Sequence, residues 1–318
     1  MPVLIGIDAR GDGVLVWQEA GSGAGFRSSS YVSATQSWSA AVIVPGSEAS
    51  DLGTYQIRMA MSTSGQAVLA WLQGTKAASG SSLLPITVQT ARYVPGGAAG
   101  AGWRAAESVH SAIGTVDLAL AANDADQTLV AWIDGAPAGG AGAPGPLTYG
   151  ISARLYQPQG GWQPQRDVVT GSTRDPRQLK LALNTQGAAV LVWRNAYDKS
   201  VEVSQLNRQG EWSSQLKLYS PDAGLVGDPA VLQPFMTDDG RALVSWVPAD
   251  PRFPAKLMTA SYAPATEWGA ALLRSFVGGR GNVVDIDLAF NRAGQGVVFW
   301  TESNGSTFDL YANPSLNF

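Results

Sequence analysis

The sequence of 318 residues predicts an all-β chain of six similar units, and three observations carry that prediction. Tryptophan recurs in two interleaved series. A short apolar run leads into each member of the first series. A turn-forming residue stands at a fixed distance before each of those runs. No unit carries a sustained period of 3.6, so a helical solenoid is set aside.

The first series is Trp17, Trp71, Trp132, Trp193, Trp246 and Trp300, spaced by 54, 61, 61, 53 and 54 residues on subtraction. The run before each is apolar, as in Val14-Leu15-Val16 or Val190-Leu191-Val192. Six residues before the Trp stands Gly11, Gly65, Gly187, Gly240 or Gly294, with Asp126 in the third unit. Gly and Asp tolerate the left-handed backbone of a hairpin turn, so each run is the second strand of a hairpin. Such a Trp, closing the most apolar strand, is a core residue.

The second series is Trp38, Trp103, Trp162, Trp212 and Trp268, each opening a segment after a turn, as in Gln209-Gly210-Glu211-Trp212. One unit therefore reads as four strands. In the fourth unit these are 178–184, 188–193, 201–206 and 212–218. A period above 50 with four short strands is that of a propeller blade. The expected fold is a six-bladed β-propeller of four-stranded antiparallel blades, one domain over 1–318. Its repeats run approximately over 1–45, 55–110, 115–170, 177–220, 228–276 and 283–318. The last unit ends before a second-series Trp and lacks its outer strand. Either a strand upstream of Met1 completes it or the blade is short.

Composition excludes several function classes. Lys and Arg total 21 against 25 Asp and Glu, a net charge of −4, so no basic stripe for nucleic acid and no polybasic membrane anchor is expected. There is no cysteine, which removes disulfides, thiolate metal sites and cysteine nucleophiles. A lone histidine, His110, builds no His-based metal cluster, and no cofactor is expected. No apolar stretch reaches the roughly 18–20 residues of a membrane helix. The segment from Met1 to Gly6 lacks a basic start and runs into a repeat, so the chain is expected to begin after a removed leader.

Side chains alternate along the first strand of each unit. Counting back from the Trp, positions 10, 12 and 14 are mostly apolar, as in Leu183, Leu181 and Leu179, and position 11 is small, as in Gly6, Ala60 and Ala182. Small residues let innermost strands approach closely. Position 13 holds Arg58, Lys180, Gln233 and Asp287, and position 15 holds Gln56, Asp117, Gln178 and Asp285. Two residues after the Trp come Glu19, Gln73, Asp134, Asn195 and Glu302. Antiparallel pairing puts both sets at one end of the blade, as a polar binding rim around one channel mouth. The bland reading is that strand ends turn polar in any protein.

The same end carries two long loops, 73–85 and 134–150, rich in Gly, Ala, Ser and Pro, which read either as recognition loops or as disorder. The second-series Trp residues read as packing between blades, with a platform for sugar stacking as the other reading. No G-x-S-x-G, phosphate-loop or H-E-x-x-H motif appears. His110 reads as a surface or capping residue in a connecting loop, which leaves a catalytic triad without its base. Asp285 and Asp287 share one strand face at roughly 7 Å, a spacing open to glycoside hydrolysis.

The pattern in Leu181-Ala182-Leu183-Asn184-Thr185-Gln186-Gly187 through Trp193, followed by Gly210-Glu211-Trp212, resembles the tandem-repeat β-propellers of bacteria over nearly the whole chain. Many of these are exported or surface proteins, and some are lectins that hold sugars between blades. No lectin motif carries over residue by residue. Sialidase-type propellers place a Trp three residues after the Gly of a repeated box, whereas the interval here is six, and the rim lacks their arginine cluster. The resemblance implies a periplasmic, cell-surface or secreted protein. The expected function is a non-enzymatic protein-binding or scaffold module, with another protein as the partner and a glycan as the next choice. A carbohydrate-binding lectin and a glycoside hydrolase using mouth carboxylates stand as alternatives.

Overall fold

The computed structural model describes residues 3–18, 25–48, 52–75, 85–96, 102–137, 147–221, 230–248, 256–275, 282–290, 295–303 and 305–317. Among them there is no helix, and six antiparallel sheets follow one another along the chain. The chain divides into two compact units, Met1–Thr173 and Arg174–Phe318. The first holds three sheets, and so does the second.

Every sheet is a meander. Sheet four shows the plan: Pro176–Leu183 pairs with Ala189–Asn195, which pairs with Val201–Leu206, which pairs with Leu216–Tyr219. The turn between the first two strands has one design in sheets one to five. The residue nine before the Trp closes it with a backbone hydrogen bond, from Asp8 N, Ser62 N, Asn123 N, Asn184 N or Thr237 N to the carbonyl four residues on. Asn184 Oδ1 also accepts from Gln186 N and Ala188 N, and Asn123 Oδ1 does the same for Ala125 N and Gln127 N. The residue six before the Trp takes positive φ: Gly11 84°, Gly65 92°, Asp126 57°, Gly187 83° and Gly240 90°. Gly294 lies outside the described residues.

The expected outer strand differs. At the second-series Trp the chain pairs for about two residues, leaves the sheet, and pairs again. Sheet two, for example, has both Gly102–Trp103 and Glu107–Ile113 against its third strand, Pro85–Val94. The residue after each Trp makes the last bond of the first piece, from Ser39 N, Arg104 N, Gln163 N, Ser213 N or Gly269 N to the third strand. In the fourth unit, Trp212 is thus an isolated bridge to Leu206 rather than the start of a strand. Sheet six has three strands, Asn282–Phe290, Gln295–Ser303 and Phe308–Asn317, as its short repeat implies.

Within each compact unit, first-series indoles hold neighbouring sheets together. Trp71, Trp132, Trp193, Trp246 and Trp300 are buried, and Trp17 is half-buried. Trp71 packs on Val14, Val16 and Phe26 of sheet one, with its ring edge-on to Phe26 at 5.6 Å. Trp132 packs likewise with Val88 and Val109 of sheet two, and Trp246 with Val190 and Val203 of sheet four. At Gly6 an added Cβ would stand 2.7 Å from Met61 Sδ, which explains the small residue on that first strand.

The second series meets a tyrosine that the sequence reading passed over. Tyr31–Trp38, Tyr93–Trp103, Tyr156–Trp162 and Tyr262–Trp268 stand 5.2–5.5 Å apart between ring centroids, each pair directly opposed across the sheet. These Trp residues pack on a ring of their own sheet, and Trp103 and Trp162 also reach the sheet before their own, as expected of packing between blades. Trp162 Nε1 donates to Glu107 Oε2 of sheet two at 2.9 Å, and Trp103 packs against the cluster that holds Val14 and Phe26 of sheet one.

Removing the two kinds of indole should have unequal effects. Trp193→Ala should cost about 3–5 kcal/mol, as for other large aromatic truncations in a core. Trp38→Ala, at a ring 49% exposed, should cost about 1 kcal/mol or less. Guanidinium unfolding of the two variants measures this, and equal losses would refute the division.

Candidate functional site

The start of the first strand is interrupted by a β-bulge in sheets two to six. In sheets two, four and five the extra residue is Gln56, Gln178 or Val231, each fifteen residues before its Trp and each at positive φ, 40°, 57° and 51°. In sheets three and six the register slips one residue earlier, at Val116 and Val284. Non-glycine residues at positive φ cost of order 1–3 kcal/mol and persist where surrounding structure enforces them. Here the second strand with its buried Trp supplies that enforcement. The bulge breaks the simple alternation expected of positions 13 and 15, and it re-aims side chains at this end.

The rim residues have specific engagements. Gln56 Nε2 donates to Val116 O at 2.9 Å, and Gln56 Oε1 accepts from Arg58 Nη2 at 3.3 Å. Arg58 Nη2 stands 3.7 Å from Asp117 Oδ1, and Asp117 is buried at 7% exposure. In the second unit Gln178 and Lys180 are exposed, and Gln233 Nε2 reaches Asp287 Oδ1 at 3.5 Å. Asp285 and Asp287 face Thr301 and Phe299 across the strand pair, so the backbone puts them on one face. The Asp285 side chain and all of Glu19 lie outside the described residues. So do loop residues 76–84 and 138–146, and the strands that flank them run to Thr75 and from Pro85, and to Pro137 and from Leu147.

The residues two after the Trp have a structural task. A buried indole N–H needs an acceptor. Trp71 Nε1 donates to Gln73 Oε1 at 3.3 Å, Trp132 Nε1 to Asp134 Oδ2 at 3.1 Å, and Trp300 Nε1 to Glu302 Oε1 at 2.9 Å. In sheet four Glu202 on the next strand takes this part at 2.9 Å. Asn195 is thereby released to accept from Tyr197 N.

His110 is not in a loop but on the strand Glu107–Ile113. Its ring stacks on Trp132 at 4.6 Å, and its Nε2 stands 2.9 Å from Asp134 Oδ2. Asp134 Oδ1 accepts from Thr115 Oγ1 at 2.6 Å. Histidine, indole and carboxylate thus form one half-buried cluster in the first unit.

In the second unit a charged network surrounds Glu202, which is 2% exposed. Arg174 Nη1 stands 3.1 Å from Glu202 Oε1 and 3.4 Å from Asp198 Oδ2, and Lys217 Nζ stands 2.7 Å from Asp198 Oδ2. Partial burial disfavours the Asp198 carboxylate. Hydrogen bonds from Lys217 and Ser200 outweigh it and hold the group down at about 2. Nothing in the sequence singles out these residues, because their partners come from separate strands. A depressed carboxylate contributes stability above its unfolded value of about 4 and loses it as pH falls through the folded value. Between about pH 4 and 2 the native chain should therefore lose stability that Asp198→Asn does not lose. Thermal melts across that range measure the difference.

Two clefts, one in each unit, are lined by corresponding repeat positions. In the second unit a cleft of about 580 Å³ lies between sheets four and five. In the first unit a cleft of about 360 Å³ lies between sheets one and two. Met236, Gly240, Tyr262 and Pro264 in the former occupy the places of Met61, Gly65, Tyr93 and Pro95 in the latter, by distance from the Trp and by strand pairing. Gln205 and Leu206 line the opposite wall of the first, as Ser30 and Tyr31 line that of the second. Each is large enough for a small organic ligand and mixes an aromatic ring with a few polar groups. Among the described residues, no group of three or more Asp, Glu or His is placed to hold a metal ion.

No protein-family model and no curated protein sequence matches the chain. Solved structures do match in fold. A protein of unknown function from Dyadobacter fermentans aligns over 96% of this chain and 91% of its own, with a TM-score of 0.56 at 11% identity. A polysaccharide lyase described as an ulvan lyase aligns over 99% and 79%, with a TM-score of 0.57 at 11% identity. The NanB sialidase of Streptococcus pneumoniae aligns over 98% and 67%, with a TM-score of 0.54 at 6% identity. The fold is an all-β propeller. These neighbours correct the expectation of a non-enzymatic protein-binding or scaffold module, because those with a stated activity are carbohydrate-processing enzymes.

Proposed function

We propose that this chain is a carbohydrate-active propeller of six blades, one per sheet, placed outside the cytoplasm, and that it holds a saccharide ring in each of the two clefts. The observation that carries this reading is the recurrence of the same lining in both units, with Tyr93 and Tyr262 at corresponding positions. A sugar presents an apolar C–H face beside polar hydroxyl edges. An aromatic wall takes the face, and neighbouring amides and carboxylates take the hydroxyls. The polysaccharide lyase and the sialidase named above support the same class.

A glycan array followed by calorimetry tests this. The chain should bind oligosaccharides, and Tyr262→Ala should weaken binding at that cleft by about tenfold, the loss of roughly one aromatic contact. A silent array, or Tyr262→Ala binding as the native chain does, would remove the clefts from consideration.

A second reading is favoured by Asp117, a buried carboxylate beside the Arg58 guanidinium at the bulged end of the first strands. Glycoside hydrolysis calls for such carboxyl groups. Asp117→Asn should abolish glycan cleavage while saccharide binding in the clefts persists. Unchanged turnover would exclude Asp117 from the chemistry.

A further inference from the structure

We propose that the clefts select a saccharide bearing a protonated amine, a non-acetylated amino sugar, and that Arg92 occupies the place of that ligand in a third, closed cleft. The inference rests on the carbohydrate reading above and names its substrate class.

The repeat has a third corresponding position in the first unit, between sheets two and three. Tyr156 faces Thr128 across the sheet, as Tyr93 faces Ala67 and Tyr262 faces Ala242, so the three tyrosines are equivalent. Arg92 faces Val68, as Ser30 faces Val14 and Gln205 faces Val190, so these three side chains are equivalent as well. Where Arg92 is present, its guanidinium carbon lies 3.3 Å from the centre of the Tyr156 ring and 5.6 Å from that of Trp162. Its Nη1 donates to Thr128 Oγ1 at 3.2 Å. Burial lowers the Arg92 pKa, opposed by Tyr156, Glu107 and Asp126. The wall therefore accepts a flat cation on the tyrosine face, within the roughly 6 Å over which a ring attracts one.

In the two open clefts the tyrosine remains and no guanidinium stands at the position of Arg92. The smaller cleft sets two carboxylates, Asp8 and Asp12, against the one guanidinium of Arg10, at 2.7 and 3.5 Å. In the larger cleft Gln205 replaces Arg92, and its buried Nε2 has no hydrogen-bond partner among the described residues. A buried donor left unpaired costs about 1–3 kcal/mol, which a ligand hydroxyl recovers. The charge of this cleft is negative. Glu211, Asp239 and Glu267 line it against Arg208. Arg241 neutralises Asp239 at 2.9 Å, which leaves two carboxylates against one guanidinium. A ring with a stackable face, hydroxyl acceptors and an ammonium group meets all three features. A neutral sugar leaves the carboxylates unmatched, and a uronate is repelled by them.

The test is calorimetric titration of the full chain with glucosamine oligomers and, in parallel, with N-acetylglucosamine oligomers. Glucosamine oligomers should occupy two sites, and acetylation should weaken binding at least tenfold. Gln205→Arg should set a guanidinium on Tyr262 and reduce the stoichiometry from two to one. Arg92→Ser should open the third cleft and raise it to three. Circular dichroism confirms that each variant is folded. Acetylated oligomers binding as well as free amines would overturn the amine selection and leave the carbohydrate reading standing. Unchanged stoichiometry in folded Gln205→Arg would overturn the equivalence of the clefts. Binding of neither oligomer, with other glycans bound, would overturn the inference alone, whereas an entirely silent array would end both.

Discussion

The seat of the first-series indole is the constraint on which the other features depend. Trp71, Trp132 and Trp246 each close the apolar run of a second strand and are buried against the sheet before their own, as Trp71 is against Phe26 and Val16. Burial of so large a ring contributes several kcal/mol, more where its N–H is also satisfied. The acceptors at Gln73, Asp134, Glu202 and Glu302 serve four of the rings, and Trp246 Nε1 has no partner among the described residues. They also draw carboxyl and amide groups to one end of the sheets. The polarity of that end thus begins as a consequence of packing, before any ligand is considered.

The bulges belong to the same arrangement. In sheets two, four and five the extra residue falls at the level of the Trp on the neighbouring strand. A first strand that must pass a large ring gains one residue there, and the strained φ of Gln56, Gln178 and Val231 is the cost. The chain then emerges with Arg58 and Asp117 side by side. Such a place is suited to chemistry because the backbone around it is over-determined by the core.

The opposite ends of the sheets are built on different physics. Tyr–Trp pairs across the third strand take the place of a deep core, and their rings flank the clefts. One side chain then decides whether a cleft is open. Ser30 and Gln205 leave room, and Arg92 lies across the Tyr156 ring. A repeat protein can thereby diversify its sites by single substitutions on a constant frame.

Much of the fold was legible in the sequence. Trp spacing, the Gly or Asp turn six residues earlier and the Asn-x-x-Gly turn are local signals, and each repeats, so errors at one unit are corrected by the others. The core role of Trp71 through Trp300 follows from strand position alone. The broken outer strand was not legible, because leaving and rejoining a sheet depends on third-strand carbonyls rather than on local propensity. Sites were less legible still. Alternation placed Gln56, Arg58 and Asp117 at one strand end but could not show the bulge that joins Arg58 to Asp117, since a bulge answers to the ring on the neighbouring strand. His110 looked like a loop residue because its partners, Trp132 and Asp134, are on another sheet. By itself the sequence determined the repeat, the all-β class and the burial of five of the six first-series indoles, Trp17 being half-buried, since periodicity is a property of a single chain segment. Only the tertiary structure decided which cleft is open and which carboxylate meets which cation, because those pairings join residues that no spacing relates.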